Sequence, residues 1–225
     1  MSTAATAAPS AALASLIGAQ GDMVRSLCIF NQSPADYMDS SRRAEFFALP
    51  ADGPVWDNER SRRHLSQDIL ARISVEPCLD TQRPEWPLAL LDRDRLDRLA
   101  RHIAAALVGG RVRRSISRAD VLQWREWLTP EAYDFALKRA GLLPFHAEAG
   151  ADVLNMPPAH LGHAWLLAAS RVWPTAIARR FVLKLPAGAM PQADAIDPAL
   201  AMRLVSSVLS IVEARWCSLF VTMRA

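Results

Sequence analysis

Two histidines stand three residues apart in AHLGHAW, His160 and His163. On a helix that spacing puts both imidazoles on one face, where they could share a metal ion. No carboxylate or cysteine stands beside them in sequence, and Trp165 and Leu166 follow directly. The pair therefore reads as solvated or hydrogen-bonded histidine, and no metal is expected. A second candidate is the carboxylate group Asp92, Asp94 and Asp97. Paired carboxylates can divide acid and base roles, but interleaved arginines neutralise these, so they read as a solvated helix face. The stretch GGRVRR offers glycines and cations without the Lys-Ser/Thr of a phosphate loop or the GxGxxG spacing. Serine, histidine and aspartate are present without a nucleophile elbow. Cys28, Cys78 and Cys217 are odd in number and far apart, with no CxxC, which points to reduced thiols rather than a disulfide framework or zinc site. No catalytic, cofactor-binding or metal residue is assigned.

Binding residues are easier to find than reacting ones. Arg111, Arg113, Arg114 and Arg118 cluster in GGRVRRSISR, between two helical patterns. Helix, glycine break, helix suggests a helix-turn-helix and hence nucleic acid. Against that, the turn reads as long, and Trp124 and Trp127 occupy the second helix where base-reading polar groups would be needed. An acidic protein partner and a solvated linker are the other readings. Of the seven tryptophans, Trp56 and Trp86 fall in Pro-rich irregular segments and are expected to be partly exposed anchors.

The elements that must position these residues are helical. Alanine, leucine and arginine dominate and favour helix. The basic side is almost all arginine, with Lys138 and Lys184 as the lysines, and the net charge is +3 with a pI of about 9.0. Ala11 to Ile29 can form a first helix, Ala35 to Phe47 another, and Asn58 to Ile73 a third; Leu49–Asp57 reads as turn, and Pro77, Pro84 and Pro87 make an irregular stretch. The clearest amphipathic run places Leu96, Leu99, Ile103 and Leu107 on one face, with Gly109 and Gly110 as its stop. Ser117 and Thr129 stand as N-caps of the next two helices, Pro130 at N1, and Gly141 as the following stop. The first of the two is expected to be largely buried. In the second, Tyr133, Ala136, Leu137 and Ala140 share a face, with Phe135 opposite. Pro157-Pro158, Pro174 and Asp197-Pro198 introduce three more helices, Pro186–Pro198 reads as loop, and SLFVTMR as helix or short strand. The expected fold is mainly α, a single multi-helix domain of about eight or nine helices with Pro-rich connections over residues 25–225. It is preceded by an Ala-rich segment, 1–24, partly disordered or first helix. That segment has no Lys or Arg before Arg25, so it lacks the basic region of a secretion signal. No uncharged apolar run reaches membrane-span length.

From about Leu91 to Pro144, RADVLQWREWLTPEAYDFALKRAGLLP after a helix ending LVGGRVRRSI resembles the SctK family of type III secretion systems, whose relatives include YscK, PscK, OrgA and MxiK. The Tyr-x-Phe-Ala-Leu element is Tyr133, Phe135, Ala136 and Leu137 here. The resemblance implies a cytoplasmic, non-enzymatic adaptor of the sorting platform, at the cytoplasmic face of the inner membrane. It would link the cytoplasmic domain of the ring protein SctD to the pod protein SctQ, which leads on to the SctL stalk and the SctN ATPase. It implies no cofactor and no catalytic residue. The expected partner-binding residues are Arg111, Arg113, Arg114, Arg118, Phe135, Trp56 and Trp86. The alternative is a helical nucleic-acid-binding regulator using Arg111–Arg118. On this reading EDTA should leave the melting temperature unchanged and elemental analysis should find no stoichiometric zinc. A chelator-induced drop in Tm would reverse the reading of His160 and His163.

Overall fold

Asp92 accepts a hydrogen bond from the Arg95 amide at 2.9 Å and so opens the longest helix of the molecule. The computed structural model describes residues 21–143 and 150–221. Its longer helices are Gly21–Gln32 (α1), Glu59–Ile73 (α2), Arg93–Arg114 (α3), Arg118–Trp127 (α4), Pro130–Lys138 (α5), Pro158–Ser170 (α6), Thr175–Val182 (α7), Pro198–Val212 (α8) and Ala214–Val221 (α9). No strand occurs among the described residues, so the ambiguous Ser218–Val221 is helical. The mainly α expectation holds, but the count of eight or nine helices is too low. Connections expected to be irregular also coil into single turns, at Pro54–Asp57, Trp86–Ala89 and Met190–Ala193. Ala35–Phe47 is not one helix but short turns at Pro34–Tyr37, Ser40–Arg42 and Arg43–Phe46. Proline in the first positions presets φ for such a turn. The expected helix from Ala11 falls outside the described residues before Gly21.

Helix starts follow the capping chemistry. Ser117 accepts from the Asp120 amide, Thr129 from Ala132 and Asp197 from Leu200, with Pro130 and Pro198 at N1. Pro174 is the residue before α7 rather than its first.

Helix α3 is the hub, packing against α6, α5 and α8. Its Leu96, Leu99, Ile103 and Leu107 are buried as one stripe, and Ala100, Ala104 and Ala105 are buried with them. Those small residues let α6 come close. At Gly162 any Cβ would overlap the Ala100 backbone carbonyl. Gly109 serves the same purpose against α5: an added Cβ would lie 2.5 Å from the Ala140 Cβ and 3.2 Å from the Ala136 oxygen. Gly109 and Gly110 therefore do not end the helix; α3 runs on through Arg114. Gly141 likewise sits in a 3-10 turn against the Arg113 guanidinium rather than in a left-handed cap.

A second, smaller apolar cluster gathers Ala35, Met38, Trp56, Leu65, Ile69, Ile73 and Leu183. Polar side chains, Asn31 and Arg180 among the buried ones, capture carbonyls along the connection between α2 and α3. Arg180 donates to Val75 and Glu76 at 3.0 and 2.9 Å, and Arg179 to Ile73 at 2.8 Å. Asn31 brackets Cys78 from both sides, and Lys184 donates to Ala89 and Leu91 at 2.7 and 2.8 Å. Such pairing gives partners to carbonyls that no helical ladder serves and ties this connection to the core.

Helix α4 departs from expectation. Of its residues only Trp124 is buried, and Leu122 is 53% exposed. Leu128, just after it, is buried as expected. Gly162→Ala should cost on the order of 1–3 kcal/mol, the range for overpacking a filled interface. Trp124→Ala should cost about 3–5 kcal/mol, as large aromatic deletions do. Urea denaturation checks both, and an unchanged midpoint for either contradicts the packing described.

Candidate functional site

The histidine pair is split by the close approach of α3 and α6. His163 is buried and its Nε2–H donates to Asp97 Oδ1 at 2.9 Å, while His160 is exposed. That hydrogen bond holds the Asp97 carboxyl below the usual carboxylate range. Asp97 is thus a helix–helix partner, while Asp92, though it caps the helix, stays exposed with Asp94 as the solvated face expected. Among the described residues no three His, Cys, Asp or Glu side chains gather as a metal site. The three cysteines carry free thiols.

The tryptophan anchors are also corrected. Trp56 is 4% and Trp86 2% exposed. Each indole N–H closes a six-residue loop, Trp56 onto the Pro50 carbonyl at 3.0 Å and Trp86 onto Asp80 at 2.7 Å. Trp56 also lies under Arg43 and edge-on to Phe47. Phe135 faces inward with Ala132 and Ala136, edge-on to His102, whereas Leu137 is exposed. The buried face of α5 is therefore set by Phe135 and not by Leu137.

The arginines remain on the surface in a different setting. Arg111, Arg113 and Arg114 belong to the last turn of α3, where cations suit the negative helix end. Arg111 donates to the Gly150 carbonyl at 2.9 Å, and Arg113 lies over Gly141 and donates to Ala136 at 3.4 Å. Arg113, Arg114 and Arg118 are exposed. The link from α3 to α4 is only Ser115–Ser117, so the turn is short. Both tryptophans of α4 turn inward, Trp124 onto Ser115 Oγ at 3.0 Å and Trp127 onto the Met156 carbonyl at 2.8 Å. The two features that counted against a helix-turn-helix are thus absent. The outward face of α4 nevertheless carries exposed Leu122, Asp120 and Glu126 beside Arg118 and Arg125, a mixed surface rather than a base-reading one. Ile116, in the corner before it, is 96% exposed. Leu122, expected to widen the buried face of α4, is exposed instead, as its position about 200° round the helix from the inward Trp124 allows; Ile116 carried no expectation.

A polar cleft of about 250 Å³ lies between the Asp36–Met38 turn and the start of α3, lined by Asp36, Tyr37, Arg43, Asp92, Arg93 and Lys184 among others. Its chemistry is committed to the fold. Asp36 pairs with Arg62 at 2.7 Å, Arg93 with Asp39 at 2.9 Å, and Arg43 donates to the Ala51 carbonyl. The Lys184 ammonium, besides its two carbonyls, sits 5.3 Å from the Phe30 and Tyr37 rings. Burial pushes that ammonium down to about 7, partly offset by Asp92, and pushes the Tyr37 phenol far up. A further network joins three helices: Arg98 bridges Glu131 and Glu213, beside His102, whose Nδ1–H donates to the Arg98 carbonyl at 2.8 Å. Burial keeps His102 below its ordinary range. No helix of the described residues is long and apolar enough to cross a membrane.

The molecule is thus a helical protein whose buried ionisable groups hold its own backbone together, while exposed apolar and basic residues gather where the central helix ends. A family model described as YOP proteins translocation protein K (YscK) matches residues 27–209, and the chain belongs to that family. It is a type III secretion protein, from a family of secretion-apparatus components and not a known family of enzymes. Comparison with the curated proteins and with the solved structures finds no match.

The lowered Lys184 value makes stability pH-dependent. Between about 7 in the fold and about 10.4 in the unfolded chain, the unfolded state binds more protons, so stability rises with pH across that window. Urea midpoints should rise from pH 7 to 9.5 in the parent chain and rise less in Lys184→Met. Parallel pH responses in the two chains would contradict this.

Proposed function

We propose that this chain is a non-enzymatic cytoplasmic adaptor of the sorting platform, linking the cytoplasmic domain of the ring protein SctD to the pod protein SctQ. On this reading it is held at the inner membrane through its partners. The observation that carries the reading is the YscK family match, which takes in the second apolar cluster and most of the main one. The commitment of the internal polar groups to backbone carbonyls and partner carboxylates supports it, because such groups rigidify a domain and leave recognition to its surface. Arg111, Arg113, Arg114 and Arg118 are proposed to meet one of the two partners. Buried Trp56, Trp86 and Phe135 hold the surface in place and do not touch a partner. Charge at such an edge chiefly sets association rate and specificity.

The test is a bridging assay. Immobilised SctD cytoplasmic domain should retain SctQ when this chain is added and not without it. Retention of SctQ to the same extent with and without the chain contradicts the adaptor reading, as does failure of the chain to bind either protein.

A further inference from the structure

The corner before α4 carries Ile116, the most exposed of the large apolar side chains described, and the outward side of the helix adds Leu122. Ile116 precedes the N-cap Ser117, the place from which an apolar side chain normally packs onto the fourth helical residue, here Val121. Instead it is almost wholly in solvent. Leu122 points away from the body, because Trp124 and Trp127 are both tied inward. Arg118 occupies the first position of the helix, the positive end of its dipole, where a cation is unfavourable. Among the described residues it makes no hydrogen bond or ion pair that would offset this. Arg113 and Arg114 end the preceding helix next door. Two exposed aliphatic side chains and a cation placed against its own helix are features that local stability does not call for. Apolar contact with arginine beside it is the composition of a protein interface. Nucleic acid would gain nothing from Ile116 and Leu122, whereas the aliphatic side chains of a protein segment would cover both.

We propose that this face docks an amphipathic acidic segment of a platform partner, whose aliphatic side chains cover Ile116 and Leu122 and whose carboxylates meet Arg114 and Arg118. Glu126 at the far end of α4 orients the segment, with its acidic end over the α3–α4 corner. This rests on the adaptor reading and adds to it the surface and the chemistry of one partner.

The experiment uses the full chain in four forms: parent, Ile116→Ser with Leu122→Ser, Arg118→Glu, and Leu79→Ser. Leu79 is exposed elsewhere on the surface and serves as the control. Circular dichroism melts should match the parent for all four. Binding is titrated against purified SctQ, purified SctD cytoplasmic domain and a duplex DNA, each at two salt concentrations. For one of the two proteins, the serine pair and Arg118→Glu should each weaken binding at least tenfold, the arginine effect shrinking at high salt, while Leu79→Ser binds as the parent does. Should the serine pair fail to fold, Leu122→Gln alone is used, with the same expectation for that protein. Parent-like affinity of these variants for both proteins overturns the docking face while leaving the adaptor reading intact. A parent that binds neither protein overturns both. Salt-sensitive duplex binding lost in Arg118→Glu, with protein binding unchanged, assigns the face to nucleic acid and overturns the proposal.

Discussion

Helices α3 and α6 touch almost backbone to backbone where Gly162 lies on Ala100, and the rest of the molecule is arranged around that contact. A glycine facing an alanine, with Ala104, Ala164, Ala168 and Ala169 also fully buried, removes the side-chain spacer between two helices. Close approach multiplies dispersion contacts, each small and together large. It also sets what the neighbouring polar residues can do. One residue beyond Gly162, His163 reaches Asp97 across the interface, so a spacing that suggests metal binding instead forms a helix-to-helix hydrogen bond. Gly109 against Ala140 repeats the device on the other side of α3 and seats α5.

Holding the connection between α2 and α3 against such a core raises a second problem, since residues 74–85 lack a helical hydrogen-bond ladder. Side chains supply the donors. Arg179, Arg180 and Lys184 lie on or just after α7 and reach the carbonyls of Ile73, Val75, Glu76, Ala89 and Leu91; Trp216 adds Pro87. Arg42 does the same for Leu185 and Pro186. An arginine fork can serve two carbonyls at once, as Arg180 does, and the Lys184 ammonium does so with two of its three donors. At Arg180 and Lys184 carbonyl dipoles offset part of the desolvation cost, with Asp92 adding to them at Lys184, while Arg42 also pairs with Glu45 at 3.2 Å, and so the unusual ionisation of Lys184 belongs to the architecture of the fold.

Local chemistry was legible in the sequence to the degree that it is local. Ser117, Thr129 and Asp197 cap where their side chains allow, and the leucine stripe of α3 is buried as its period requires. The misreadings share one cause. Gly109 looks the same whether it ends a helix or admits a neighbour, and only the position of Ala140 decides between them. Trp56 and Trp86 stand in aperiodic segments, where burial follows from tertiary position and not from spacing. Phe135 and Leu137 are two residues apart on one short helix, and which of them turns inward depends on where α3 lies. The basic segment was visible as composition, but its division between the end of α3 and the start of α4 was not, because the glycine pair hid the continuity of the helix.

The protein is a helical body with its internal charges bound largely to its own backbone, and the corner we propose for docking is basic and aliphatic. Amide hydrogen exchange, followed for the chain alone and then with each platform protein, tests this most directly. In the free chain the account predicts slow exchange along Leu99–Val108 and Ala164–Ala169 and faster exchange in α4. On adding the partner, new protection should be confined to residues 113–126. New protection centred on another surface, or slow exchange of α4 in the free chain with no change on binding, would contradict it.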